Sequence, residues 1–214
     1  MAERFQIESG ISSAKIDPNY NAAPGQFLPV VVRGEKGNEL QVMKWGVVPR
    51  WAKDIKIGYK LINARAESLF EKPMWKPLIT RQRALVPANG FYEWQRSDDG
   101  KTKTPFYIHP KDQELYSFAG IWETWHDIEG HPLQSFSIIT TEPNKEMRDI
   151  HNRMPVILTP DEEGQWLDPA VIDRADIEPF LHPYHDGGLE IYEVTDEVNT
   201  PKNNAAYLIK PVYG

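Results

Sequence analysis

The chain contains no cysteine in its 214 residues. That absence excludes disulfides, thiolate-bound metals and a cysteine nucleophile in the chain as it stands. Runs of about 18 or more apolar residues are also missing, which excludes a membrane-spanning helix. The opening Met1-Ala2-Glu3-Arg4-Phe5 lacks the apolar core of a secretory signal, so the cytoplasm is the expected compartment. There is no P-loop, no dinucleotide fingerprint and no metal-ligand spacing, so neither metal nor cofactor is expected. Nothing repeats, and no linker divides the chain. One domain over residues 1–214 is the expectation, long enough to bury a sizeable core.

What is present begins with charge. A net charge of −7 argues against broad attraction to nucleic acid, yet the charge is unevenly spread. Lys44 to Lys111 holds 14 Lys/Arg against 6 Asp/Glu, while the remainder holds 10 against 25. Either a basic face sits on an acidic body, or these charges scatter over the folded surface.

Short strands dominate the pattern. Leu28–Arg33 and Leu40–Val48 read as strands around a turn at Gly34–Asn38. Lys60–Arg65 reads as a strand running into a short helix at Ala66–Phe70. Ala84–Pro87 is apolar, and Gly90–Trp94 has strong β character. Asp98-Asp99-Gly100 is a hairpin turn joining Tyr92–Gln95 to Pro105–Ile108. Further strands are expected at Tyr116–Trp122, Ser135–Thr141 and Leu189–Val194. Pro143 suits the first turn of a helix reaching about Ile150. Thr159-Pro160-Asp161-Glu162 has capping-box form and should open a helix through Trp166. Asp176–Leu181 has helical character, with Pro179 against it. Many strands and few helices imply a strand-rich α+β domain.

Several polar groups look out of place. Extended, Leu61–Glu67 sends Ile62, Ala64 and Ala66 to one face and Asn63, Arg65 and Glu67 to the other. A surface Arg65–Glu67 ion pair would explain that row blandly; a binding face would explain it functionally. Glu93 lies within Phe91-Tyr92-Glu93-Trp94, where burial would raise its pKa and suit acid–base work, unless it faces solvent on an edge strand. His151 either rests at the end of the expected Glu146–Ile150 helix or serves chemistry. Trp45 and Trp51 are either core residues or stacking platforms among Arg50, Lys53 and Lys56.

Five segments in order, Tyr20-Asn21-Ala22-Ala23-Pro24, Trp45-Gly46, Ile62–Glu67, Phe91–Trp94 and Asp149–Pro155, resemble the SOS-response-associated peptidase (SRAP) family. Thr200-Pro201-Lys202-Asn203-Asn204 is similar to that family's C-terminal signature. The resemblance implies an abasic-site sensor acting on single-stranded DNA as a monomer. In the family, removal of Met1 exposes a cysteine that closes a thiazolidine with the lesion's aldehyde. Carried over by position, Asn63 would hold the terminal residue and sugar, Glu93 would position the amine and move protons, and His151 would assist reversal. Arg4 and Arg65 would contact phosphates, and the Asn21–Pro24 turn and Trp45 would help wedge or stack against the splayed strand. Trp51 and Arg153 are further candidates for DNA contact. The departure is at the family cysteine, where Ala2 stands, followed by Glu3. Ala2 is either an introduced inactivating change or a natural loss of the thiol. The alternatives for function are a non-covalent single-strand binding module and a peptidase acting on its own N-terminus.

Overall fold

The computed structural model describes residues 1–11 and 16–213. Its architecture is set, among the described residues, by twelve strands, the central ones covered on both faces. In chain order they are β1 (Ile7–Gly10), β2 (Phe27–Arg33), β3 (Asn38–Trp45), β4 (Asn63–Arg65), β5 (Arg83–Ala88), β6 (Phe91–Arg96), β7 (Lys103–Pro110), β8 (Tyr116–His126), β9 (Pro132–Thr141), β10 (Met154–Pro155), β11 (Ile157–Leu158) and β12 (Leu189–Glu193). Three helices are short: α1 (Lys76–Arg81), α2 (Pro160–Trp166) and α3 (Arg174–Ile177).

Among the described residues, nine strands join one sheet with the path β1-β3-β2-β5-β8-β9-β10. The ends of β3 and β9 also pair in parallel, Lys44 with Ser135 and Trp45 with Phe136, so β3, β2, β5, β8 and β9 form a closed ring. Closure removes most of the free edges that would otherwise invite aggregation. The run Val30-Val31-Val32 shows why apolar residues need not alternate here. Val31 packs with Leu85, Ala119 and Ile139 under α1, α2 and α3, through Leu78, Trp166 and Ile177. Val30 and Val32 face the opposite core, with Val86, Phe118 and Ile138. A strand buried on both faces reads as a continuous hydrophobic run.

The second core is covered by the three-stranded sheet β12-β7-β6, through Ile108, Leu189 and Phe91. This is the expected α+β class in a single domain, and no helix among the described residues is long and apolar enough to cross a membrane.

Two expectations change. The Pro143–Ile150 helix is a succession of turns. The Asn144 side chain accepts from the Met147 N–H at 3.1 Å, and His151 N–H reaches Met147 O at 2.8 Å without a helix forming. Asn144 and Met147 are buried, so the segment follows the core and not its local helical preference. The strand expected over Lys60–Arg65 is confined to Asn63–Arg65. Residues Ile55–Lys60 form a 3-10 turn opened by Asp54, whose carboxylate accepts from the Lys56 N–H at 2.8 Å.

Candidate active site and nucleic-acid interface

Strand β9 brings the site together. Along one of its edges β4 runs parallel, with Asn63 opposite Ile138 and Arg65 opposite Thr140. Thr140 and Thr141 also pair with β10, which follows the His151 segment. On β4 the alternation holds: Asn63 and Arg65 are exposed, as is Glu67 beyond the strand, while Ala64 is buried. The surface pair Arg65–Glu67 does not form. Glu67 instead accepts two bonds from Arg153, Nη1 at 2.7 Å and Nη2 at 2.9 Å, and that guanidinium also donates to Thr140 O at 2.6 Å. The Arg153 hydrogen bond holds the Glu67 carboxyl below its ordinary value despite partial burial. Arg153, expected on the strand-contacting face, is therefore already engaged. Arg65 has no side-chain hydrogen bond or ion pair among the described residues.

Strand β6 supplies the second half. Its alternation sends Phe91, Glu93 and Gln95 to one face and Tyr92 and Trp94 to the other. Phe91 packs edge-on against Phe118, and Gln95 Nε2 donates to Asp149 O at 2.7 Å, holding the turn that carries His151. Between them, Glu93 Oε1 lies 3.7 Å from His151 Nδ1. Burial pushes the Glu93 carboxyl up, with His151 opposing. The histidine ring is 3.2 Å from the Arg153 N–H and 3.1 Å from its carbonyl, so either tautomer finds a partner. Because no helix precedes His151, the helix-terminus explanation for this residue fails.

The other expected contacts divide. Arg4 does not present its guanidinium to a ligand: it makes two bonds to Glu163, at 2.5 and 3.0 Å, and Ser117 Oγ donates to the same carboxylate at 2.7 Å. Asn21 is buried, and its amide donates to the carbonyls of Val198, Thr200 and Asn203. Its role is to pin the turn whose tip, Pro24, is exposed. Trp45 is half-buried, stacked on Phe136, with its indole N–H on Ile62 O at 2.9 Å, so it ties β3 to the segment before β4 and is not a free platform. Trp51 is 66% exposed and remains available for stacking. Ala2 is exposed, and its carbonyl accepts from the Ile7 N–H at 2.9 Å.

Two features lie apart from this site. A cleft of about 970 Å³, lined by Arg33, Lys36, Glu39, Arg81 and Trp122 among others, includes none of the residues above. Asp127, Glu129 and His131 in the β8–β9 hairpin bring three potential ligand atoms within 4.8 Å, a grouping the sequence spacing did not suggest. Asp127 there accepts from the N–H groups of Glu129 and His131, which accounts for the cluster as a turn.

The family model described as SOS response associated peptidase (SRAP) matches residues 1–201. The chain belongs to the SRAP family. It is 45% identical over 208 residues to the abasic site processing protein YoqW of Bacillus subtilis, covering 97% of this chain and 92% of that protein. It is 32% identical over 223 residues to the abasic site processing protein HMCES of Xenopus tropicalis, covering 90% of this chain and 65% of that one. A solved protein structure from Bacteroides thetaiotaomicron matches with a TM-score of 0.83 and 31% identity, covering 93% of this chain and 88% of that one.

Several residues that hold this region together were not singled out from the sequence, even where they lie within a quoted motif. Gln95 is one, although its spacing of two from Glu93 already put both on one face. Tyr92 is another: its hydroxyl donates to Tyr20 O at 2.7 Å and ties β6 to the Asn21–Pro24 turn. Asn204, in the C-terminal signature, accepts from the Tyr20 N–H at 2.7 Å. These contacts join residues 72 to 184 positions apart, and no local pattern announces them.

Proposed function

We propose that this protein recognises abasic deoxyribose in single-stranded DNA, with the chain's N-terminal residue, Asn63, Glu93 and His151 at the lesion and Arg65 on the strand. The observation that carries this reading is the Glu93–His151 pair, 3.7 Å apart, on the flank of an exposed row whose Arg65 has no internal partner. A half-buried carboxyl with a raised pKa beside an imidazole is suited to moving protons. Membership of a family whose relatives are named abasic site processing proteins supports the substrate.

Chemistry is limited by Ala2. Removal of Met1 frees an α-amine whose ordinary pKa is near 8, so part of it is neutral at physiological pH. That amine attacks the sugar aldehyde, and loss of water leaves an imine. In a cysteine-bearing chain the thiol adds to the imine carbon, its proton passes to nitrogen, and a thiazolidine closes. Ala2 has no such group, so water returns the imine to amine and aldehyde. The imine also acidifies the neighbouring sugar C–H, whose proton Glu93 or His151 takes as the 3′ phosphate leaves, nicking the strand. A non-covalent binding role is the second reading, and the missing thiol favours it.

Fluorescence titration with abasic and intact single strands tests recognition; tighter binding of the abasic strand is expected, and equal binding overturns it. Borohydride added to the abasic mixture tests the amine. A trapped adduct is expected once mass spectrometry shows Met1 absent. No adduct under those conditions leaves the binding role.

A further inference from the structure

Lys44 is an anomaly in this fold. It is only 9% exposed, yet among the described residues it makes no ion pair and no side-chain hydrogen bond. Its ammonium nitrogen lies 5.4 Å from the centre of the Tyr59 ring. Its stem is buried while the ammonium tip keeps contact with solvent, so a cation without an anionic partner stands at the surface beside that ring. Tyr59, by contrast, is 58% exposed, an open setting for an aromatic ring.

The surroundings hold this pair rigidly. Tyr59 sits on the 3-10 turn Ile55–Lys60, and its ring lies so close to Gly25 that a Cβ there would come within 2.7 Å of it. Gly25 has a φ of 89° and donates its N–H to Trp45 O at 2.8 Å, which fixes the turn against the end of β3. Gly46 and Gly58 approach so closely that a Cβ on either would meet the other's carbonyl oxygen at 2.5–2.6 Å. Lys53, Lys56 and Lys60 are exposed around the same turn, and Phe27, 58% exposed, pairs with Lys44 across β2 and β3. Lys44 lies opposite Ser135 on β9 and Asn63 opposite Ile138, so their backbones stand roughly 10 Å apart along one strand edge, with the two side chains on opposite faces of the sheet.

We propose that Lys44 and Tyr59 form a nucleotide seat across the sheet edge from the abasic site: the tyrosine ring stacks an unpaired base of the bound strand, and the Lys44 ammonium takes a neighbouring phosphate. An exposed ring amid cations is the platform that single strands use, because every base offers a π face. The seat requires an unpaired base, so duplex DNA cannot use it. It rests on the reading above that the protein binds single-stranded DNA.

The test is anisotropy titration of single strands carrying 2-aminopurine at successive positions, with Arg65→Ala as a control for the main site. Tyr59→Ala should weaken single-strand binding roughly tenfold, for intact and abasic strands alike. It should also abolish the 2-aminopurine fluorescence change at one position only, and leave duplex binding unaltered. Tyr59→Phe should bind like the parent. Lys44→Met should lower the salt slope by about 0.7, the value of one phosphate on a single strand. Should Tyr59→Ala depress the melting temperature, Tyr59→Leu provides the same comparison with packing on Gly25 retained. If Arg65→Ala weakens binding while the Tyr59 and Lys44 variants match the parent, the seat is wrong and the main reading stands. If the parent binds no single strand, both fall.

Discussion

Glu93 carries the proposed proton transfer at the scale of single residues. Its carboxyl is pushed up by burial, against an ordinary value of 4.5, and His151 only partly opposes that. The folded chain therefore holds this proton more tightly than the unfolded chain. The stability it adds is full below pH 4.5 and is lost as pH rises through the raised value. Glu93→Gln removes that titration, so the variant should gain stability relative to the parent from acid to neutral pH, measured by urea melts at each pH. An unchanged difference across the range would place Glu93 in solvent. In an Ala2→Cys background the same variant should crosslink abasic DNA more slowly and without the parent's pH dependence. The aromatic setting of Glu93 made its burial legible in the sequence, as alternation made the exposure of Asn63 and Arg65 legible. The partner of Glu67 was not legible. Arg153 lies 86 positions away, and only the pairing of β4 and β10 with β9 brings the two together.

Elements carry these residues, and the N-terminal turn is one held at both ends. Phe5 N–H bonds to Met1 O and Ile7 N–H to Ala2 O, at 3.0 and 2.9 Å, while Gln6 is held at a φ of 49°. A non-glycine residue in that region costs on the order of 1 kcal/mol and persists only where its surroundings over-determine it. Buried Phe5 and the Arg4–Glu163–Ser117 network provide that determination. Glu163→Ala should destabilise the fold by about 3 kcal/mol, near the lower end for a buried pair because Arg4 keeps some contact with water. It should also slow crosslinking in the Ala2→Cys background by loosening the terminus. Normal stability and normal crosslinking would remove Arg4 and Glu163 from any positioning role. The family resemblance sent Arg4 to the bound strand by position; its partner Glu163 lies 159 residues on, beyond the reach of any local motif. Helix α2, by contrast, was announced by Thr159 and Glu162, whose carboxylate accepts from the Thr159 N–H at 2.8 Å. The helix expected after Pro143 failed because Asn144 and Met147 are drawn into the core.

Across the whole molecule, the basic segment Lys44–Lys111 does not make one uniform face. Arg83 is buried, donating to the carbonyls of Ile79, Thr80, Trp166 and Asp168, and Arg50 is paired with Glu123 at 2.8 Å. What remains exposed near the site is a shorter row: Lys53, Lys56, Lys60 and Arg65, with Trp51 and Tyr59 among them. The strand-rich class was legible because turn residues and apolar runs mark each strand. Ring closure through β3 and β9 was not, since parallel pairing between strands 91 residues apart leaves no local trace. The end of β9 beyond that closure carries β4 on one edge and β10, which follows the His151 segment, on the other. On the function proposed above, this scaffold holds an abasic site that lacks the thiol. Incubating parent and Ala2→Cys protein with abasic single-stranded DNA, followed by denaturing electrophoresis, tests it most directly. The account predicts a heat-stable adduct with Ala2→Cys and none with the parent unless borohydride is added. A heat-stable adduct with the parent, or none with Ala2→Cys once Met1 is shown to be removed, would contradict it.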